Sequence, residues 1–524
     1  MKRTLLAILL SVVSCTHRVE RDPSEIVLSL NADPATLNPI LITEMSGAQV
    51  ASFIYESLFD RDNETLGYKP KLAESWDVSA DKLTYTFHLR RDVHWHDGQP
   101  FTADDVIFTM AKVLDPKVDA ASHRQSYRDL KSYKKLDDWT VQFTFGKPYF
   151  RALLVLGAMS IVPKHIFEDG DFNAHAANRF PVGTGPYRFV AWKTGERLRL
   201  SRNETYWGKK PRITGVQFLV IPDSTVAFQL FKKGGIDMQD LRAVQWAKQT
   251  GSQNFQKRFA KYRYYLPNYA YIGWNLRKPL FADAKVRTAL AMAIDRENIL
   301  NKLLFRQGEM VSGDAYKWSN SYDSSLPPIP FDPARAKQLL DEAGWTDHDG
   351  DGLRDRDGVP FRFNFLFPSG SKFYRSLGLI MRSELVRLGI DMNLQQLEWA
   401  TMIKLVHEHD FDAVGLAWSL PLDNDPFQIW HSSQRDRGSN AIGFSNLEVD
   451  RLLEQARLEY NDEKRAAMYR QLHRILYDEQ PVAFLFTMPT LVAVDRRFID
   501  VKEYKVGLDL LEWGVGSTEK LLAW

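Results

Sequence analysis

Chemistry in this 524-residue chain would start where ligating or proton-transferring side chains are spaced to converge. Two His-x-His pairs qualify, His94/His96 followed by Asp97 and His407/His409 followed by Asp410. On a strand, residues i and i+2 share a face, so either pair could offer two imidazoles to a metal. Neither has an evident third ligand, and histidines beside aspartates are ordinary on a polar face, so the metal reading is the weaker one. A denser cluster runs from Asp347 to Gly358. Asp347, Asp349, Asp351 and Asp355 fall at positions 1, 3, 5 and 9 of a calcium-type loop with Gly352 at position 6, a pattern that supplies a hard cation with many oxygens around a sharp turn. Position 12 is Gly358 where the bidentate Glu belongs, so a weak calcium site and a solvated Asp/Gly turn both stay open.

The signatures that would mark catalysis are missing. The chain has no Gly-x-Ser-x-Gly elbow, no phosphate loop ending in Gly-Lys-Ser/Thr and no His-Glu-x-x-His. Gly183-Thr184-Gly185 is followed by Pro186 and Tyr187, with no helix to bring a positive end to a pyrophosphate. Cys15 is the only cysteine, which excludes disulfides and thiolate metal sites from the rest of the chain.

The elements that position these residues are those of a multidomain α/β protein, and the length predicts two to four domains. Leu83 to Leu89 alternates with a period of two, as a half-buried antiparallel strand does, and Glu25 to Leu30 predicts an opening strand. Thr102 with Asp105 forms a capping box before Val106, Met110 and Val113. Asp332-Pro333 predicts a helix start and Gly344 its end, while Pro481 stops a helix carrying Met468, Leu472, Ile475 and Leu476. Lys plus Arg is 68 against 66 for Asp plus Glu, with no basic block, so nucleic acid is not an expected partner.

Lys2 and Arg3 precede the apolar run Leu5 to Val13, which has the length of a secretory signal core and is too short to span a bilayer. The run ends at Ser14-Cys15 and resembles a bacterial lipobox, so residues 1–14 are expected to be removed and Cys15 lipidated. The longest later apolar run, from Ala152 to Val162, is also too short to cross a membrane. The expected location is periplasmic or extracytoplasmic, tethered to a bacterial membrane by that lipid alone.

The segments Val93 to Val106 (VHWHDGQPFTADDV), Gly183 to Tyr187 (GTGPY), Arg202 to Trp207 (RNETYW), Phe281 to Asp295 (FADAKVRTALAMAID) and Asp332 to Trp345 occur in one order. Together they resemble the family 5 extracellular solute-binding proteins of bacterial ABC importers, which include dipeptide, oligopeptide and nickel receptors. The resemblance implies an α/β fold of the class II periplasmic-binding-protein type, two-lobed and hinged, with an extra α/β subdomain in the first lobe. It implies residues 25–58, 180–268 and 489–524 in lobe one, 59–179 in the extra subdomain and 269–488 in lobe two. Candidate hinge crossings run from Tyr264 to Asn275 and from Val482 to Pro489.

By the same resemblance a carboxylate neutralises the peptide's N-terminal ammonium, and the acid follows a Trp and precedes an Asn/Asp turn with Pro. Here that region reads Trp418-Ser419-Leu420-Pro421-Leu422-Asp423-Asn424-Asp425-Pro426. Asp423 is the first expectation and Asp425 the second, against a hydrated Asx turn. Trp418, Trp274, Asn275, Phe484, Phe486 and residues 43–47 are further pocket candidates. The expected function is oligopeptide or dipeptide capture without turnover and delivery to membrane permease subunits, by a protein expected to be monomeric and to need no cofactor beyond a possible calcium ion. The alternatives are a receptor for a nickel chelate, haem or another small solute, or a secreted hydrolase using two carboxylates.

Overall fold

The computed structural model describes residues 22–436 and 438–516. The signal segment and Cys15 lie outside the described residues. Two bodies are built around separate sheets, and the chain passes between them twice. In the first body, Glu25–Leu30 pairs in parallel with Gly215–Val220, and Arg197–Arg202 and Tyr187–Lys193 extend that sheet antiparallel. Thr490–Asp495 lies between Met238–Asp240 and Phe259–Tyr264 in a three-stranded sheet beside it. A four-stranded antiparallel sheet of Ala73–Val78, Thr84–Leu89, Thr140–Phe145 and Leu130–Asp137 forms a subdomain whose hydrophobic core merges with that of the first body.

The period-two pattern produces that sheet: in both Thr84–Leu89 and Thr140–Phe145 every second residue is buried. The helix Ala103–Leu114 covers it, and its first turn is fixed by Asp105, which accepts from the Thr102 amide at 2.9 Å, the Lys164 amide at 2.9 Å and the Trp95 indole at 3.3 Å. The hairpin Phe59–Arg61 and Tyr68–Pro70 projects from the start of the subdomain, with Tyr68 stacked on Phe59.

The second body is a six-stranded mixed sheet, in order Glu309–Met310, Val482–Thr487, Asn268–Trp274, Ala413–Ser419, Arg362–Pro368 and Asp391–Leu397. The central strand Asn268–Trp274 feeds two cores at once: Ala270, Ile272 and Trp274 enter one, Tyr269 and Tyr271 the other. Helices close both, with Pro333–Glu342 and Lys372–Arg387 on the first face and Leu447–Leu458 and Asp462–Glu479 on the second. Their ends follow the local signals. Asp332 accepts from the Arg335 amide, Pro333 opens the helix, and Gly344 beyond it has φ 78°.

The chain leaves the first body after Tyr264, enters the second at Asn268, and returns between Thr487 and Thr490. Asn268 fastens the two passages together. Its side-chain amide donates to the Met488 carbonyl at 2.9 Å while its side-chain oxygen accepts from the Met488 amide at 2.8 Å. No helix among the described residues is long and apolar enough to cross a membrane.

Candidate ligand-binding crevice

The segment that follows the strand Ala413–Ser419 faces the first body. Asp423 reaches across: its Oδ2 accepts from Arg61 Nη2 at 2.5 Å and from the Tyr68 hydroxyl at 2.9 Å, both on the projecting hairpin. Its side chain keeps 34 % exposure, and among the described residues no hydrogen bond engages its second oxygen. Asp425 is situated differently. Its side chain is 4 % exposed and accepts from Arg457 Nε at 2.8 Å and from the Tyr149 hydroxyl at 3.1 Å. Arg457 also lies 4.0 Å from the centre of the Phe427 ring, whose surroundings include Arg128 of the subdomain. The Oδ1 of Asp425 accepts from the Phe427 amide at 3.3 Å, so both oxygens of Asp425 are engaged within an enclosed site, which argues against the second expectation for the amine acceptor.

Further contacts close the same seam. The Tyr460 hydroxyl accepts from the Tyr149 amide at 3.0 Å and lies 2.9 Å from the Tyr149 carbonyl and from the Tyr85 hydroxyl, and the Phe150 amide donates to the Arg457 carbonyl at 3.0 Å. Two cavities flank the seam. One of about 430 Å³ lies in the first body and is lined by Arg61, Asp60, Lys69, Lys71, Asp509 and Tyr55 among others. Another of about 360 Å³ separates the subdomain from the second body at Arg128, Tyr149, Phe427 and Arg457. A smaller space behind Leu420 to Pro426 is bordered by Asp314, whose carboxylate accepts from the Trp430 indole at 2.6 Å and is pushed up to about 6 by burial.

The other pocket candidates are placed unevenly. Trp418 is half-buried beside the seam, opposite Tyr269 in the sheet. Trp274 is 0 % exposed and stacks on Phe281 at 5.5 Å; Phe484 and Phe486 are equally enclosed. The structure corrects these three: each fills a core of the second body, because its strand is covered on both faces. Asn275 is corrected too, since its side-chain amide donates to the His409 and Phe411 carbonyls and braces a turn. In residues 43–47, Glu44 caps a helix by accepting from the Gly47 amide, and Met45 and Thr43 are exposed.

Among the described residues, neither His-x-His pair joins a cluster of three metal-ligating side chains. Both ring nitrogens of His96 hold the Gly183–Gly185 turn, Nδ1 accepting from the Gly183 amide and Nε2 against the Gly185 carbonyl, while His94 is exposed. Burial pulls the His96 imidazole down to about 4. His407 ends a helix and His409 lies past it with φ 61°, so the pair does not share a strand face. Among the described residues, Asp347, Asp349 and Asp351 are the group whose oxygens approach within 4.8 Å of one another, all exposed. Asp347 already accepts from the Gly350 and Gly352 amides, and Asp355 is turned toward His348.

Sequence reasoning missed Arg61 and Tyr68, and it missed Glu56. This acid is 2 % exposed and is the hub of the first body: it accepts from Thr184 Oγ1 and Trp207 Nε1, each at 2.9 Å, and from the Tyr206 hydroxyl at 2.6 Å. Burial drives its carboxyl upward, against the pull of Lys71 at 3.7 Å. A lone acid inside the apolar stretch Phe53 to Phe59 was the available signal.

Two bodies joined by two passages, with an acid at the seam, are the architecture of a two-lobed binding protein. The family description "Bacterial extracellular solute-binding proteins, family 5 Middle" matches residues 67–440, and the chain belongs to that family of extracytoplasmic receptors. It is 31 % identical over 480 residues to the oligopeptide-binding protein AppA of Bacillus subtilis, covering 88 % of this chain and 86 % of that one. It is 29 % identical to the heme-binding protein A of Haemophilus influenzae, over 86 % of this chain and 84 % of the other. Similar solved structures include AppA of B. subtilis in complex with a nonapeptide, with TM-score 0.80, 29 % identity and coverage of 94 % and 99 % of the two chains. NikZ of Campylobacter jejuni in complex with Ni(L-His) has TM-score 0.81 and 28 % identity, with coverage of 94 % and 100 %.

Proposed function

We propose that this chain captures oligopeptides in the crevice between its two bodies and hands them to the permease subunits of an ABC importer. It acts as a monomer on the outer side of a bacterial membrane, tethered by a lipid on Cys15 after removal of residues 1–14. Asp423 carries the reading. It is a carboxylate at the seam, supplied by one body and reached by the other, where closure removes it from water and raises the worth of a charge pair with an α-ammonium. The similarity to a nonapeptide complex along nearly the whole chain supports a peptide as the guest. The backbone of an extended ligand would pair with main chain at the crevice, and its side chains would use the flanking space.

The second reading is a metal chelate or haem, favoured by the NikZ and heme-binding relatives. Native mass spectrometry of the purified protein, followed by release and identification of the guest, tests both. Intact peptides of varied sequence are the expected result. A single non-peptide mass would overturn the peptide reading and leave the receptor role standing.

A further inference from the structure

We propose that Arg61 is an exchangeable internal counter-ion that competes with the ligand's ammonium for Asp423, and so sets the preference for free amino termini. This rests on the proposed role of Asp423 and goes beyond it. The guanidinium sits 2.5 Å from Asp423 Oδ2, so the carboxylate is already neutralised across the seam. An arriving ammonium cannot simply be added. Even at the open second oxygen, two cations would then share one anion in a confined space, where like charges brought together repel.

The architecture gives Arg61 somewhere else to go. Its side chain lines the cavity of about 430 Å³, whose wall carries the carboxylates of Asp60 and Asp509. Asp60 is engaged by Lys71 at 3.1 Å. Among the described residues Asp509 accepts hydrogen bonds from the neutral amide of Asn63 and from the Leu511 backbone and forms no close ion pair, with Lys71 acting on it from farther off, so it can take a guanidinium without breaking a salt bridge. The hairpin keeps hold of the side chain during such a move, because Arg61 Nη1 donates to the Leu66 carbonyl and the guanidinium lies 5.2 Å from the centre of the Tyr68 ring. Tyr68 also donates to Asp423 and stays to orient it once Arg61 has left. A free-amine ligand therefore binds with a net affinity reduced by the contact it displaces.

The test is calorimetric titration of the full chain with one peptide in free-amine and N-acetylated forms. Arg61→Met is expected to tighten binding of the free-amine form about tenfold, the equivalent of ~1.4 kcal/mol, and to leave the acetylated form unchanged. Arg61→Lys keeps a competing charge and should resemble the parent protein. Asp509→Asn preserves the cap to Leu511 but removes the retreat, and should weaken the free-amine form alone. Unchanged or weaker free-amine binding in Arg61→Met, with Arg61→Lys folded and binding, would overturn the exchange. Failure of the parent protein to distinguish the two peptide forms would instead remove the role of Asp423.

Discussion

Asp423 and Asp425 are separated by one residue, carry the same charge and live in opposite circumstances. Asp425 is closed over by Arg457 and Tyr149, so its charge serves folding. Asp423 is half-open, meets groups of the other body and, among the described residues, has one oxygen that no hydrogen bond engages, which supports the binding role proposed for it. Partnering, more than residue type or spacing, separates the acid enclosed by the fold from the acid proposed to bind. Asp314, behind the same segment, is a third case: buried with an indole N–H as its side-chain partner, its charged form is a burden on the fold.

The comparison can be broken most forcefully at Asp425. Replacing it with Ala leaves Arg457 without its carboxylate in a mostly enclosed site, and breaking a buried pair by removing one partner costs about 3 to 5 kcal/mol. Urea unfolding of Asp425→Ala should show a loss of that size. A loss below ~1 kcal/mol would put Asp425 in the same class as a surface acid.

Asp314 sharpens the contrast through pH. Its folded-state pKa of about 6 lies above that of an unfolded Asp, so the folded protein holds the proton more tightly. Stability from this group is present at low pH, is lost as pH rises from the ordinary carboxylate range through about 6, and is flat above that. Asp314→Asn, which keeps an acceptor for Trp430, should therefore raise stability by on the order of 2 to 3 kcal/mol at pH 7.5. The gain should fade toward pH 4. A gain independent of pH would show that charge is not the cause.

The smallest effect is expected at the exposed acids Asp347, Asp349 and Asp351. Their turn is built by side-chain bonds to backbone amides, and Gly358 stands where a bidentate ligand is needed. Millimolar calcium should leave the melting temperature unchanged. A rise of several degrees would make the loop a true cation site.

Much of the fold is legible in local pattern because its causes are local. Alternating burial in Thr84–Leu89 and the Asp332-Pro333 start with its Gly344 stop are decided by neighbours within a few residues. The site is less so, because its partners are remote. Arg61 and Asp423 are 362 positions apart, and nothing in either neighbourhood announces the other. Aromatics beside a crossing strand read the same whether they line a pocket or fill a core. Trp274, Phe484 and Phe486 proved to be core because the six-stranded sheet is covered on both faces, which follows from topology rather than from their own segments. Asn275 likewise looked available, but its amide closes on the carbonyls of His409 and Phe411, more than 130 residues away.

The central claim is that Asp423 holds a ligand's positive end, and paired titrations of Asp423→Asn measure it most directly. Free-amine peptide binding should weaken by about 2 to 5 kcal/mol, the usual cost of cutting one partner from an enclosed charge pair, while the N-acetylated form changes little. Equal losses for the two forms, or none for either, would contradict the account.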